Sequence, residues 1–167
     1  MKLFDEKFRK NKLNYILQCY LAALTIFVIL LVFDKISNAV VIAALGSSTF
    51  IVFTMPEARV SKPRFMIGGY IVSISMGLLC YYLPFLPLLE SIIIIQEISH
   101  MLFGALSVGL AIFMMVITDT EHPPAAGLAL GLILDEWSFM TIVATFAGII
   151  ILSVIRYLLR SMLQNLL

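Results

Sequence analysis

The sequence predicts an all-α polytopic membrane protein. Apolar residues fill 62% of the 167 positions and charged residues only 13%, against roughly half and a quarter in soluble domains. The apolar residues gather into runs long enough to cross a bilayer, while the eleven Lys and Arg sit in the connections and at the ends. With a formal net charge of +1 and no basic face, nucleic acid is excluded as a partner and the lipid bilayer is implied.

Residues 1–13 are expected to form a cytoplasmic, basic and amphipathic N-terminus. Leu3, Phe4 and Phe8 fall at helical spacing opposite Lys7, Arg9 and Lys10, which suits residues 3–12 to the membrane surface. The charged stretch is too long, and a small-residue cleavage site too clearly missing, for a removable signal peptide. Residues 14–160 are expected to form a single transmembrane domain and 161–167 a short tail.

The first span, 15–33, has the ~20 apolar residues needed to cross a ~30 Å core; Asp34, Lys35, Ser37 and Asn38 close it. A shorter run, 39–55, is interrupted at its centre by Gly46, Ser47, Ser48 and Thr49 and stopped by Pro56. Glu57, Arg59, Lys62, Pro63 and Arg64 form a basic loop before the third span, 65–83. Within that span Gly69, Ser73 and Gly77 repeat at four-residue steps, a stripe that lets another helix approach closely. It serves either internal packing or a homo-oligomer. Pro84 and Pro87 break the chain, and 88–99, with Glu90, Gln96 and Glu97, fits either an interfacial helix or an extension of the span at 101–118. Residues 125–134 are apolar but only ~15 Å long as a helix. The last span, 139–159, ends near Arg156 and Arg160. Cys19 and Cys80 have no ligand spacing and are expected to be buried free thiols.

Charge placement orders these segments. If both short runs cross, ten of the eleven Lys and Arg share one side with both termini, and Lys35 stands alone on the other. By the positive-inside rule both ends are then cytoplasmic, in a bacterial inner membrane. If 125–134 re-enters instead, the split worsens to eight against three. About six crossings, two of them short or broken, are therefore expected, the alternative being four full spans with re-entrant segments. Six crossings divide into an inverted 3+3 repeat with a defective segment in the middle of each half, the arrangement that marks binding sites in transporters.

The polar stretch at 118–131, T-D-T-E-H-P-P-A-A-G-L-A-L-G, lies between two apolar segments. Pro123 and Pro124 suit a helix start at Pro124. The N–H groups of Ala125, Ala126 and Gly127 would then face outward with the helix dipole behind them, and His122 would stand at their mouth. The plainer alternative is a polar turn in which Asp119, Thr120 or Glu121 caps the helix.

The same residues carry a family resemblance. His122-Pro123-Pro124, together with the upstream run G-S-S-T-F-I-V-F-T-M-P-E-A-R-V-S-K-P-R-F-M-I-G-G-Y at 46–70, resembles the HPP family of integral membrane proteins, and the two blocks span roughly 38–134. The family is usually described with four membrane spans. The resemblance implies transport, since members have been linked to nitrite transport in chloroplasts and cyanobacteria, and it carries over only His122, Pro123 and Pro124.

The expected function is a transporter or channel for a small anion, nitrite or a similar oxyanion. Its substrate site would join the histidine, proline and helix-start residues His122 to Gly127 with Gly46, Ser47, Ser48 and Thr49, because irregular backbone at membrane depth must be buried or line a wet cavity. Asp119 and Glu121 would repel the anion unless they face away, cap the helix or relay protons. A membrane metalloenzyme is the alternative, with Glu97 and His100 as an E-x-x-H pair and Asp119, Glu121 and His122 as further ligands. Against it, the first two lie at the opposite end of a helix from the last three. A non-transporting subunit is the third class. No catalytic motif or phosphate-cradling loop is present, so no enzyme activity, metal or cofactor is expected.

Overall fold

A computed structural model describes residues 7–8, 11–32, 39–86, 96–135 and 137–166, the side chains of 96–98 excepted. Among them the chain forms six α-helices: α1 (Lys12–Val32), α2 (Ala39–Thr54), α3 (Pro63–Tyr82), α4 (Gln96–Ile117), α5 (Pro123–Leu134) and α6 (Phe139–Leu159). Two 3₁₀ turns, Arg59–Ser61 and Leu83–Phe85, complete the described elements, which include no strand. Four helices are long and apolar enough to cross a membrane, and α2 and α5 are the shorter pair. Most of the surface helix expected at 3–12 and most of the segment at 88–99 lie outside the described residues. The end of that segment is settled, because α4 already begins at Gln96.

Local chemistry sets the helix ends. Pro63 opens α3, where its missing N–H would have had no partner. Ser138 caps α6 by accepting from the Thr141 N–H at 3.1 Å, and the Thr141 hydroxyl closes the box on the Ser138 N–H. The end of α4 is a Schellman turn: Thr120 N–H donates to the Met115 carbonyl at 2.9 Å and Asp119 N–H to that of Val116 at 3.3 Å. Asp119 therefore sits in the left-handed region with φ 54°, the place glycine usually takes.

Successive helices run antiparallel, and the contacts at one face establish it. Asn14, near the start of α1, donates to the Gln164 side chain at 2.9 Å, and the Tyr15 hydroxyl donates to the Leu166 carbonyl at 2.7 Å. Leu166 N–H in turn bonds Thr54 at the end of α2, and Arg156 near the end of α6 donates to the Pro56 carbonyl at 2.7 Å. Arg59 and Arg64, flanking the start of α3, pair with Asp119 beyond the end of α4. The start of α1, the ends of α2, α4 and α6 and the starts of α3 and α5 thus share one basic face. At the opposite face Tyr81 and Tyr82 of α3 meet Trp137 ahead of α6, with ring centroids 5.7 and 6.3 Å apart.

Two expectations about individual segments are corrected. The run at Gly46–Thr49 does not interrupt α2, which is continuous across it. The Ser47 and Thr49 hydroxyls donate to the Ala43 and Leu45 carbonyls at 2.7 and 2.9 Å, so the helix absorbs its own polar groups. Cys19 is exposed and only Cys80 buried, because α1 is peripheral and buries only Gln18, Thr25 and Ile29.

At the centre, α5 packs on α3, α4 and α2. Ala125, Leu128, Ala129 and Leu132 of α5 join Met66, Tyr70 and Ile74 of α3 and Val41, Leu45 and Val52 of α2 in one core. Small residues set the spacing. A Cβ on Gly77 would stand 3.0 Å from the Ala129 carbonyl oxygen, one on Gly69 2.6 Å from the His122 Cβ, and Ser73 donates to the Ala125 carbonyl. The Gly69, Ser73 and Gly77 stripe is therefore occupied within the chain, by α5 and the residues just before it.

Candidate functional site

His122 is the N-cap of α5, with both prolines following it in the first helical turn. The helix begins one residue earlier than the sequence suggested, at Pro123. That shift changes the chemistry of the helix start. Neither proline offers an N–H, and the Ala125 N–H already donates to the His122 carbonyl at 2.9 Å. Little of the outward-facing set of donors expected at Ala125 to Gly127 remains: Ala125 is fully buried, and Gly127 lies on an exposed face with open space beside it.

The imidazole is not at a mouth. His122 is fully buried, with Nδ1 2.8 Å from the Val60 carbonyl oxygen and Nε2 2.8 Å from Ser48 Oγ. Ser48 Oγ is also 3.0 Å from the Tyr70 hydroxyl. A carbonyl only accepts, so Nδ1 carries a proton and, in the neutral ring, Nε2 accepts. This fixes a directed chain in which Tyr70 O–H donates to Ser48, Ser48 O–H donates to His122 Nε2, and His122 Nδ1–H donates to Val60. Every member is satisfied, as buried polar networks must be. Burial depresses the imidazole pKa from 6.5 to about 4, with the Val60 carbonyl opposing the shift, so the ring is neutral at pH 7. His122 stands in the connection ahead of α5, and the groups facing it come from α2, α3 and the loop before α3.

The sequence-predicted residues divide. Ser48 and His122 are brought into direct contact across α2 and α5. Ser47 is exposed and Gly46 has open space around it, while Thr49 is buried and bonded within its own helix. Asp119 faces the basic loop: Arg59 donates to one carboxylate oxygen, and Arg64 lies 3.4 Å from the other. Both guanidinium groups also cover the Phe65 ring, at 5.0 and 5.9 Å from its centroid. The Asp119 charge is thus turned toward the two arginines and balanced by them. Glu121 is partly exposed. For the metalloenzyme alternative, His100 is exposed near the start of α4, at the opposite face from His122, and no group of three or more metal-capable side chains occurs among the described residues.

Three further residues were not singled out from the sequence. Tyr70 and Val60 complete the His122 chain. Gln18, fully buried in α1, donates to the Phe53 and Gln164 carbonyls at 2.6 and 2.9 Å and accepts from the Gln164 N–H at 2.9 Å. The signal for Gln18 and Tyr70 was present, because a polar side chain inside an apolar span needs a buried partner.

The family described as "HPP, transmembrane region" matches residues 8–166, nearly the whole chain. The chain belongs to the HPP transmembrane family. In this member the tripeptide is a helix start whose histidine is buried, clamped to α2 through Ser48 and to the basic loop through Val60, while Pro123 is exposed and Pro124 half-buried. No curated protein and no solved structure matches the chain. Membership and the apolar helices together make this a multi-pass membrane protein.

The Asp119 geometry yields a separable prediction. Asp119→Gly accepts the left-handed backbone freely but loses pairs with two exposed arginines, each worth about 0–1 kcal/mol. Its stability should stay within ~1 kcal/mol of wild type, whereas Asp119→Ala loses the pairs and adds left-handed strain of about 1 kcal/mol. Thermal unfolding in detergent should therefore rank glycine above alanine. Equal losses would mean that the ion pairs, not the backbone, set the residue.

Proposed function

We propose that this HPP-family protein carries a small anion, nitrite or a similar oxyanion, across the membrane along the crossing of α2 and α5. The observation that carries the proposal is the Ser48 to His122 contact, which joins a titratable group to a hydroxyl where the two shortest helices meet, with the Tyr70 hydroxyl of α3 beside them. A neutral, buried imidazole does not attract an anion by charge. An anion entering beside His122 would restore its proton, since a nearby opposite charge raises a depressed pKa. Anion and proton then bind together and cross as a neutral pair. Ser48 and Tyr70 supply donors to the anion as the ring turns its Nε2–H inward. Because the site is occluded by its own hydrogen bonds, transport requires α2 and α5 to separate at one face at a time.

Helix packing supports an inverted repeat. Exchanging α1–α3 with α4–α6 maps α1/α2 packing onto α4/α5, α2/α6 onto α5/α3 and α1/α6 onto α4/α3. The α2/α5 and α3/α6 pairs map onto themselves. The two short helices are then equivalent, and their crossing lies on the pseudo-twofold axis, where alternating-access transporters bind substrate.

Purified protein in liposomes should take up nitrite from a panel of small anions, faster with an inward proton gradient. Absence of flux for every anion would overturn transport. We further propose that the basic face is cytoplasmic, in a bacterial inner membrane, on the strength of the ten-to-one basic asymmetry. A compartment-sensitive reporter fused after Leu167 should report from the cytoplasm, and a signal from outside would reverse the orientation.

A further inference from the structure

A second polar feature lies on the basic face, apart from His122. Pro56, Glu57, Lys62, Arg156, Arg160, Ser161 and Leu163 line an open pocket of about 490 Å³. Its walls come from the loop after α2, the N-cap of α3, the last turn of α6 and the tail that follows. Three cations face one carboxylate, and none of the three is ion-paired among the described residues. Arg156 is anchored by donating from Nη2 to the Pro56 carbonyl at 2.7 Å, yet its Nε–H is buried with no partner. A buried donor without an acceptor is costly, more so on a charged group. Lys62 and Arg160 are exposed at the rim, the latter with its guanidinium 5.2 Å from the Tyr157 ring centroid.

We propose that this pocket binds a phosphate group, supplied either by the headgroup of an anionic phospholipid or by a soluble phosphate. Guanidinium donors match phosphate oxygens in pairs, and ammonium adds a point charge. The location favours the headgroup, since the pocket is built where three apolar helices end at a face rich in Lys and Arg. The site is linked to the motif by one short loop: Pro56, Glu57 and Lys62 line the pocket, and Val60 between them accepts from His122. The proposal stands without transport.

Thermal unfolding of the full chain in neutral detergent tests it, titrated separately with inorganic phosphate, short-chain phosphatidic acid, short-chain phosphatidylcholine and sodium chloride at matched ionic strength. Phosphatidic acid should raise Tm saturably while phosphatidylcholine and chloride do not. The double variant Lys62→Gln with Arg160→Gln, both exposed and so compatible with folding, should need roughly tenfold more ligand, the loss of two solvent-screened ion contacts. Arg156→Gln should abolish the shift, and the rim variant keeps the test decisive if that protein does not fold. A response to both phosphate probes supports recognition of the phosphate itself, and a response to one alone identifies its source. No shift beyond that of chloride, or the same shift in the rim variant, overturns the site.

Discussion

Gly69→Ala is expected to destabilise the protein by about 1–3 kcal/mol, the range for forcing extra atoms into a packed core, and to disable the His122 site with it. The added Cβ would stand 2.6 Å from the His122 Cβ and 3.1 Å from the Thr120 carbonyl oxygen. Neither neighbour is the loose end of a flexible chain. α3 and the connection before α5 must therefore move apart, and His122 cannot follow without stretching its bonds to Ser48 and Val60. Gly46→Ala is the internal control, since nothing lies within 4 Å of its Cβ position. Alanine there should be neutral or stabilise α2 by up to ~1 kcal/mol through helix propensity. Thermal unfolding of the two variants side by side checks the contrast, and equal melting temperatures would remove the close approach at Gly69 from the account.

That contrast also separates what the sequence disclosed from what it hid. Among the described residues, apolar run lengths and Lys/Arg placement predicted the six helices and the face shared by the start of α1 and the tail after α6, because bilayer thickness and charge asymmetry act on the chain locally. The Ser48 to His122 pairing was visible only as two polar interruptions, and its form was misjudged. Gly46, Ser47, Ser48 and Thr49 suggest a broken helix when each polar group is taken as needing an outside partner. In the fold, Ser47 and Thr49 return their protons to their own helix, leaving Ser48 alone to cross to α5. The left-handed Asp119 turns the charge expected beside the histidine toward Arg59 and Arg64. Such long-range choices of partner, like the Gln18 clamp on the C-terminal tail, depend on which faces meet. Periodicity in one chain does not encode that.

Removal of the imidazole should have the largest effect, and it should erase two opposed pH trends. His122→Ala takes from the buried Ser48 hydroxyl and the part-buried Val60 carbonyl the bonds they make to the ring, at about 1 kcal/mol each, and opens a cavity besides. The variant should fold with a clearly lowered Tm. In wild type the folded-state pKa of about 4 lies below the unfolded value of 6.5. The neutral ring thus contributes stability that is fully present above pH 6.5 and is lost as pH falls from there toward 4, on the order of 3 kcal/mol across the window. Anion uptake should run the other way. If the anion brings the proton to His122, flux rises over the same interval as protonation becomes easier, even as Tm declines. Carboxylates and the anion itself also titrate near the acid end, so the decisive quantity is the wild-type profile minus that of His122→Ala. Both differences should vary between pH 6.5 and 4. A stability difference that varies while the flux difference stays flat would make His122 a structural clamp only, and the family tripeptide a device for fastening α5 to α2.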